Sequence, residues 1–196
     1  PYLEALHREI AYTGKLLADS GYHIRSLYMG GGTPTTLSSP QMKELLRAIN
    51  DSFDLSRCLE FTVEGGRPDT LDEEKLRVIH DGGATRISIN PQTMADDVLA
   101  AVGRKHTAAQ TVEAFRQARA AGFEDINMDL IAGLPEDTPE KFAASIAQVL
   151  SLNPSNVTVH TLALKKGAAL FGSRMELPSQ EAVAAMLAGA EDALRQ

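Results

Sequence analysis

The chain has 196 residues, 43% of them apolar, with a formal net charge of −7, no tryptophan and one cysteine. This composition is typical of a globular domain and excludes collagen-like and low-complexity chains. One cysteine excludes an internal disulfide and a cysteine-rich metal cluster within the chain, and it favours a reducing, cytoplasmic location. The acidic balance argues against nucleic-acid binding, and no apolar run is long enough to span a bilayer.

Strand-like and helix-like segments alternate along the chain, and we interpret residues 1–196 as one domain. The predicted strands are Ile24–Met29, Leu59–Glu64, Thr85–Asn90, Ile126–Ile131 and Asn156–Leu162. The predicted helices are Tyr2–Ser20, one after Ser38, one capped by Asp69 or Thr70 and ending at Gly82, Ala95–Val102, Ala108–Ala121, one from Thr138 to Leu152, and Ser179–Leu194.

The repeated strand-then-helix order predicts parallel strands joined by right-handed crossovers. No Gly-x-Gly-x-x-Gly follows the first strand, which disfavours a dinucleotide-binding Rossmann domain. An α/β fold that forms a partial barrel is therefore the better interpretation. Five strands are too few to close a barrel, so we expect that its first strand is missing. An open sheet edge is then expected at Ile24–Met29.

Polar residues lie within or just after the predicted strands, where a buried parallel strand is normally apolar. Ligands of parallel α/β folds bind beyond the carboxyl ends of the strands, so the set predicts a binding site. Some of its members could instead cap helices or fill polar layers of a barrel. The set comprises Thr33, Glu64, Asn90, Gln92, Asn127, Asp129, His160 and Thr161.

Three consecutive glycines, Gly30–Gly32, follow the first strand. Glycine allows a close backbone approach, and backbone N–H groups near a helix start favour a carboxylate or a phosphate. The alternative is a tight turn between strand and helix. Glu64 suits the hydroxyls of a ribose or an ammonium group.

Three other features carry weaker signals. Arg104, Lys105 and His106 form a short basic cluster after a predicted helix, where they could simply offset the helix dipole. Lys165 could supply a Schiff-base amine or lie in a solvated loop. Cys58 is best interpreted as a small buried filler.

Six segments taken together resemble the oxygen-independent coproporphyrinogen III oxidase family of radical S-adenosylmethionine (SAM) enzymes. The wording RPDT and INPQTM is most similar to its HemZ-type branch, coproporphyrinogen dehydrogenase. Each motif alone is weak, but all six occur in order and cover nearly the whole chain. They are Met29–Leu37 (MGGGTPTTL), Thr62–Thr70 (TVEGGRPDT), Arg86–Met94 (RISINPQTM), Val102–Thr107 (VGRKHT), Ile126–Pro135 (INMDLIAGLP) and Val157–Ala163 (VTVHTLA).

The resemblance implies a partial (β/α)6 barrel that holds SAM against a [4Fe–4S] cluster. It implies that Gly31, Gly32 and Thr33 hold the methionine end of SAM and that Glu64 is an acidic SAM contact. Further SAM contacts are implied at Gln92, Arg104, Asp129 and Ala163. The family's Cys-x3-Cys-x2-Cys cluster motif does not occur in this sequence. We therefore expect cluster ligands outside this chain, no metal ligand within it, and no turnover by the chain alone.

The implied reaction is the oxidative decarboxylation of coproporphyrinogen III to protoporphyrinogen IX, begun by a 5′-deoxyadenosyl radical from SAM. The cofactor supplies this chemistry, so no protein residue is predicted to be catalytic. The implied partners are a tetrapyrrole and an electron donor that the motifs do not identify. Two alternatives stay open: a haem-binding or haem-delivery relative of the same fold, and a Schiff-base aldolase using Lys165.

Overall fold

The computed structural model describes residues 1–163 and 176–195. The helices are α1 (Tyr2–Ala18), α2 (Ser39–Ser52), α3 (Glu73–Asp81), α4 (Asp96–Ala101), α5 (Ala108–Ala120), α6 (Pro139–Ser151) and α7 (Gln180–Leu194). The strands are β1 (Ser26–Met29), β2 (Glu60–Gly66), β3 (Arg86–Gln92), β4 (Asp125–Ala132) and β5 (Asn156–Thr161). Short 3₁₀ turns at Pro34–Thr36 and Pro68–Thr70 follow β1 and β2.

The five strands form one sheet in the order β1-β2-β3-β4-β5. β1 runs parallel to β2 with Leu27 opposite Phe61, and β4 runs parallel to β5 with Asp129 opposite Thr158. The predicted α/β fold with a parallel sheet is confirmed. Within the described residues the sheet is open and β1 forms one edge, as the sequence predicts.

The chain divides into two compact units. The first unit comprises Pro1–Gly66, Thr70–Ser88 and Arg116–Asp125. The second unit comprises Arg67–Asp69, Ile89–Phe115 and Ile126–Gln196. The interpretation of residues 1–196 as a single domain stays a prediction.

The core of the first unit is built on α2, β2 and α3. Ser38 and Gln41 form a capping box that satisfies two backbone N–H groups where α2 begins. The apolar residues of α2 recur every three or four positions, and this spacing places them on one buried face of the helix. The buried apolar residues of these three elements are Met42, Leu45, Leu46, Ile49, Phe61, Val63, Leu76 and Ile79.

The core of the second unit is built on β4, α6 and α7. Thr138 caps α6, because its hydroxyl accepts a hydrogen bond from the N–H of Lys141 at 3.3 Å. Ser179 caps α7 in the same way through the N–H of Ala182. The buried apolar residues of these elements include Met128, Leu130, Phe142, Ile146, Val149 and Met186.

The predicted ends of β2 and β3 and the predicted start of α3 are wrong. β2 continues through Gly65 and Gly66, which were expected to end it, and β3 likewise extends to Gln92. A Cβ on Gly65 would lie 2.9 Å from the carbonyl oxygen of Ser88, so glycine is needed for this close approach inside the sheet. The N-cap of α3 is Asp72, which accepts from the N–H of Lys75 at 2.7 Å, rather than Asp69 or Thr70.

None of the described helices combines the length and apolar character that crossing a membrane requires. Lys165, proposed from the sequence as an amine candidate, lies outside the described residues.

Candidate functional site

The glycine loop, Gly30–Gly32, follows β1 in the first unit. Gly31 has a φ of 109°, a backbone conformation that residues with a Cβ rarely adopt. A Cβ placed on Gly31 or Gly32 would meet no atom within 4 Å. The loop therefore presents exposed main chain with open space beside it, which a ligand can approach closely.

Glu64 lies near the end of β2 and is half-buried. The backbone N–H of Gly31 donates to Glu64 Oε2 at 3.2 Å, so the structure brings these two predicted site residues together. This bond uses the Gly31 N–H, so Glu64 offers its negative charge while the exposed main chain of Gly32 lies beside it. The two together suit a ligand that carries an ammonium group and a carboxylate on the same carbon atom.

Thr33 follows the glycine loop and begins the 3₁₀ turn. Its carbonyl oxygen accepts from the N–H of Thr36 at 3.1 Å and from the Thr36 hydroxyl at 2.7 Å. A Cβ on Gly66 would lie 2.8 Å from Thr33 Cγ2, so the end of β2 approaches Thr33 closely. Gly31, Glu64 and Thr33 thus lie together in the first unit.

Lys75 holds this turn in place through hydrogen bonds, a role that the sequence analysis missed. Its side chain is only 9% exposed, and its Nζ donates to the carbonyl oxygens of Thr35 at 2.6 Å and Thr70 at 3.1 Å. The Thr35 hydroxyl donates to the carbonyl oxygen of Gly65 at 2.7 Å. These bonds tie the turn after the glycine loop to the end of β2, next to Glu64.

Gln92, the last residue of β3, is 8% exposed and lies in the second unit. Its φ is 71°, which is uncommon for a residue other than glycine. Its side-chain amide lies 3.5 Å from the carbonyl oxygen of Asn90. The predicted SAM contact therefore sits on an unusual backbone conformation.

The basic cluster predicted at residues 104–106 does not behave as one charged surface. Lys105 is exposed, Arg104 is half-buried and His106 is only 2% exposed. Burial and the neighbouring Arg67 lower the pKa of Arg104. Burial also lowers the pKa of His106, which favours its neutral form.

Asp129 lies in the middle of β4 and is half-buried. The Asn127 side-chain amide donates to Asp129 Oδ1 at 2.6 Å, and the Thr158 hydroxyl donates to Asn127 Oδ1 at 3.0 Å. Asn127 is therefore part of the hydrogen bonding between β4 and β5 and lies near the start of its strand. Ala163, which follows β5, is exposed.

The chain matches the family model of the radical SAM superfamily over residues 4–149. The chain belongs to this superfamily. The superfamily uses SAM and a [4Fe–4S] cluster.

Among its relatives, the chain is 38% identical to the oxygen-independent coproporphyrinogen-III oxidase-like protein HemZ from Bacillus subtilis, covering 98% of this chain and 38% of HemZ. It is also 38% identical to the heme chaperone HemW from the same organism, covering 94% of this chain and 49% of HemW. The solved structure of coproporphyrinogen III oxidase HemN from Escherichia coli superposes with a TM-score of 0.88 at 30% identity, covering all of this chain and 45% of HemN. The chain thus spans less than half the length of these relatives, and the predicted family resemblance is confirmed.

The described residues fit SAM but not the cluster. The open main chain at Gly31 and Gly32, beside the Glu64 carboxylate, matches the charges of an amino-acid group. The chain has one cysteine, Cys58, whose thiol donates to the carbonyl oxygen of Glu60 at 3.3 Å. In residues 1–163 and 176–195, no group of three metal-binding side chains could hold a metal ion.

Proposed function

We propose that this chain is the SAM-binding part of a protein that oxidatively decarboxylates coproporphyrinogen III to protoporphyrinogen IX. The observation that carries the proposal is the Gly31 N–H facing the Glu64 carboxylate beside open glycine main chain. The similarity to HemZ over 98% of the chain supports the tetrapyrrole substrate. The cytoplasmic location and an electron donor stay predictions.

In this proposal the first unit binds the methionine end of SAM. The Glu64 carboxylate is assigned to the ammonium group, and the N–H of Gly32 and the hydroxyl of Thr33 are assigned to the carboxylate group. Gln92, Arg104, Asp129 and Ala163 are further proposed SAM contacts. These residues bind and orient the cofactor, and none of them is assigned a proton transfer.

Converting one propionate to a vinyl group releases CO2, one proton and two electrons. Radical chemistry of this kind is supplied by the cofactors of the family, and the cysteine content of the chain requires cluster ligands outside it. The chain's own share of the reaction is therefore the binding and orientation of SAM.

A heme chaperone is the second candidate, because HemW is as similar to the chain as HemZ is. The Schiff-base aldolase gains no support from the family match, and its Lys165 lies outside the described residues. Incubation of the reconstituted full-length protein with SAM, a reductant and coproporphyrinogen III separates the two remaining functions. Formation of protoporphyrinogen IX supports the oxidase. Stoichiometric haem binding without turnover supports the chaperone.

The SAM site itself is tested by Glu64→Gln in the full-length protein. This change removes the negative charge and keeps an oxygen that accepts from Gly31, so we expect at least a tenfold loss of SAM affinity by calorimetry. Glu44→Gln, on the exposed side of α2, is the matched control and should bind SAM normally. Equal affinity of the Glu64 and Glu44 variants would contradict the proposed site.

A further inference from the structure

The backbone at the end of β3 adopts a conformation that needs support. The positive φ of Gln92, 71°, costs free energy in a residue with a Cβ and persists only where the surroundings hold it. Gln92 is also a proposed SAM contact. The groups that hold this backbone therefore decide where the Gln92 side chain lies.

Two buried groups of the second unit hold the segment from Pro91 to Met94. His106 Nε2 lies 3.2 Å from the carbonyl oxygen of Pro91, in the peptide group that joins Pro91 to Gln92. On the other side of Gln92, the Ser145 hydroxyl oxygen accepts from the N–H of Met94 at 3.0 Å. The segment is thus fixed directly before and shortly after Gln92.

The contact to Pro91 also defines the proton position on His106. A carbonyl oxygen only accepts, so Nε2 carries the proton in this hydrogen bond. Nδ1 is buried and has no hydrogen-bond partner among the described residues. His106 is therefore a directed donor rather than part of a basic surface.

A histidine is not needed here to fill space, because a leucine or methionine has a similar volume without a buried polar nitrogen. Burying Nδ1 without a partner costs stability, and the Nε2–H bond to Pro91 is what the imidazole adds in return. The φ angle of Gln92, which is the rotation about its N–Cα bond, is measured relative to the plane of this peptide group. At the observed φ, fixing this plane therefore fixes the direction in which the Gln92 side chain leaves the backbone.

We propose that His106 is a positioning residue that orients Gln92 toward SAM through the Pro91 carbonyl. The inference rests on the proposed function, because it assumes that Gln92 contacts SAM. His106 itself is not assigned a contact with the cofactor.

The experiment measures SAM affinity by calorimetry in the reconstituted full-length protein. Gln92→Ala and His106→Leu should each weaken binding about five- to tenfold. His106→Gln, whose amide reaches about as far as Nε2, should bind within twofold of the unchanged protein. His106→Asn is shorter, cannot reach the Pro91 oxygen, and should bind as weakly as His106→Leu.

A double variant tests whether His106 acts through Gln92. In the Gln92→Ala background, His106→Leu should cause no further loss, because the side chain that it positions is absent. His23→Leu, at an exposed histidine of the first unit, is the control. Thermal unfolding of each variant verifies folding, and the Gln and Asn variants decide the question even if the leucine variant does not fold.

Three results would overturn the inference and are distinguishable from failure of the proposed function. Equal binding by His106→Gln and His106→Asn, or additive losses in the double variant, would show that His106 does not act through the Pro91 carbonyl. Normal binding by Gln92→Ala, together with weak binding by Glu64→Gln, would remove the role of Gln92 and leave the proposed function standing.

Discussion

The glycine loop after β1 and the segment after β3 achieve order in opposite ways. The glycine loop is exposed and has no side chains, and the turn that follows it is held by the buried ammonium of Lys75. The segment at Pro91–Met94 is buried and is held by the neutral groups of His106 and Ser145. In the proposed SAM site, one region offers backbone N–H groups to the ligand, and the other offers a side-chain amide.

This difference follows from what each region is proposed to bind. Backbone donors reach a ligand only where no Cβ intervenes, so the support has to come from a neighbouring element. A side-chain amide is useful only when its backbone is fixed, which burial and directed hydrogen bonds provide. We therefore expect substitutions in the two regions to differ in how far they change the free energy of unfolding and how far they change SAM affinity.

The largest expected effect on stability comes from Lys75→Met. Methionine keeps the apolar stem but removes the donor to the carbonyl oxygens of Thr35 and Thr70, and hydrogen bonds from a charged donor contribute about 2 kcal/mol. The free energy of unfolding, measured in urea, should fall by about this amount. Lys43→Met, at an exposed lysine of α2, should change it by less than about 0.5 kcal/mol. Equal effects of the two changes would show that the buried ammonium does not support the turn.

A change at Gly30 should instead reduce affinity more than stability. A Cβ there would lie 2.2 Å from Tyr28 Cε1 and 2.8 Å from Glu64 Oε2. Tyr28 is 65% exposed and Glu64 Oε2 ends a flexible side chain, so both can move and Gly30→Ala should fold but displace the Glu64 carboxylate. We expect about a tenfold loss of SAM affinity, equivalent to about 1.4 kcal/mol.

Gly189→Ala is the matched control, since a Cβ on this residue of α7 would meet no atom within 4 Å. Its SAM affinity should equal that of the unchanged protein. Normal SAM binding by Gly30→Ala would show that Glu64 does not need its observed position.

The smallest expected effect is a pH dependence of the unfolding free energy that comes from His106, beside the segment Pro91–Met94. Burial, and secondarily the cations Arg104 and Arg67, lower the pKa of His106, while the Pro91 carbonyl and Asp69 oppose this shift. Below about pH 6.5 the unfolded chain binds a proton that the folded chain does not, so stability decreases as the pH falls. His106→Gln should flatten the unfolding free energy between pH 7 and pH 5. An unchanged slope in that variant would assign the pH dependence to other groups.

The sequence was sufficient for features that depend on nearby residues. The hydroxyls of Ser38 and Thr138 each accept a hydrogen bond from an N–H group three residues later, so both caps could be predicted. Glu64 could be predicted as a site residue because a carboxylate near the end of a buried strand breaks an apolar pattern. The presence of all five strands followed from the same local signals.

Features that depend on distant residues could not be predicted. Lys75 is separated from Thr35 by 40 positions, and a lysine on a short helix is normally assumed to be exposed. His106 is separated from Pro91 by 15 positions, so the sequence does not reveal this contact. Because two basic residues precede it, the sequence instead indicates a short basic cluster that includes His106. Asp72 could have been found as the cap of α3, because two acidic residues follow it in the first turn.

The exposed edge at β1 has a kinetic consequence. β1 borders an open groove of about 670 Å³ that includes Tyr28 and the apolar face of α1. Two exposed edges meet at a rate that rises with the square of the chain's concentration, whereas an edge covered by the same polypeptide closes at a rate independent of concentration. Dilution therefore favours folding within one molecule over growth of the sheet between molecules.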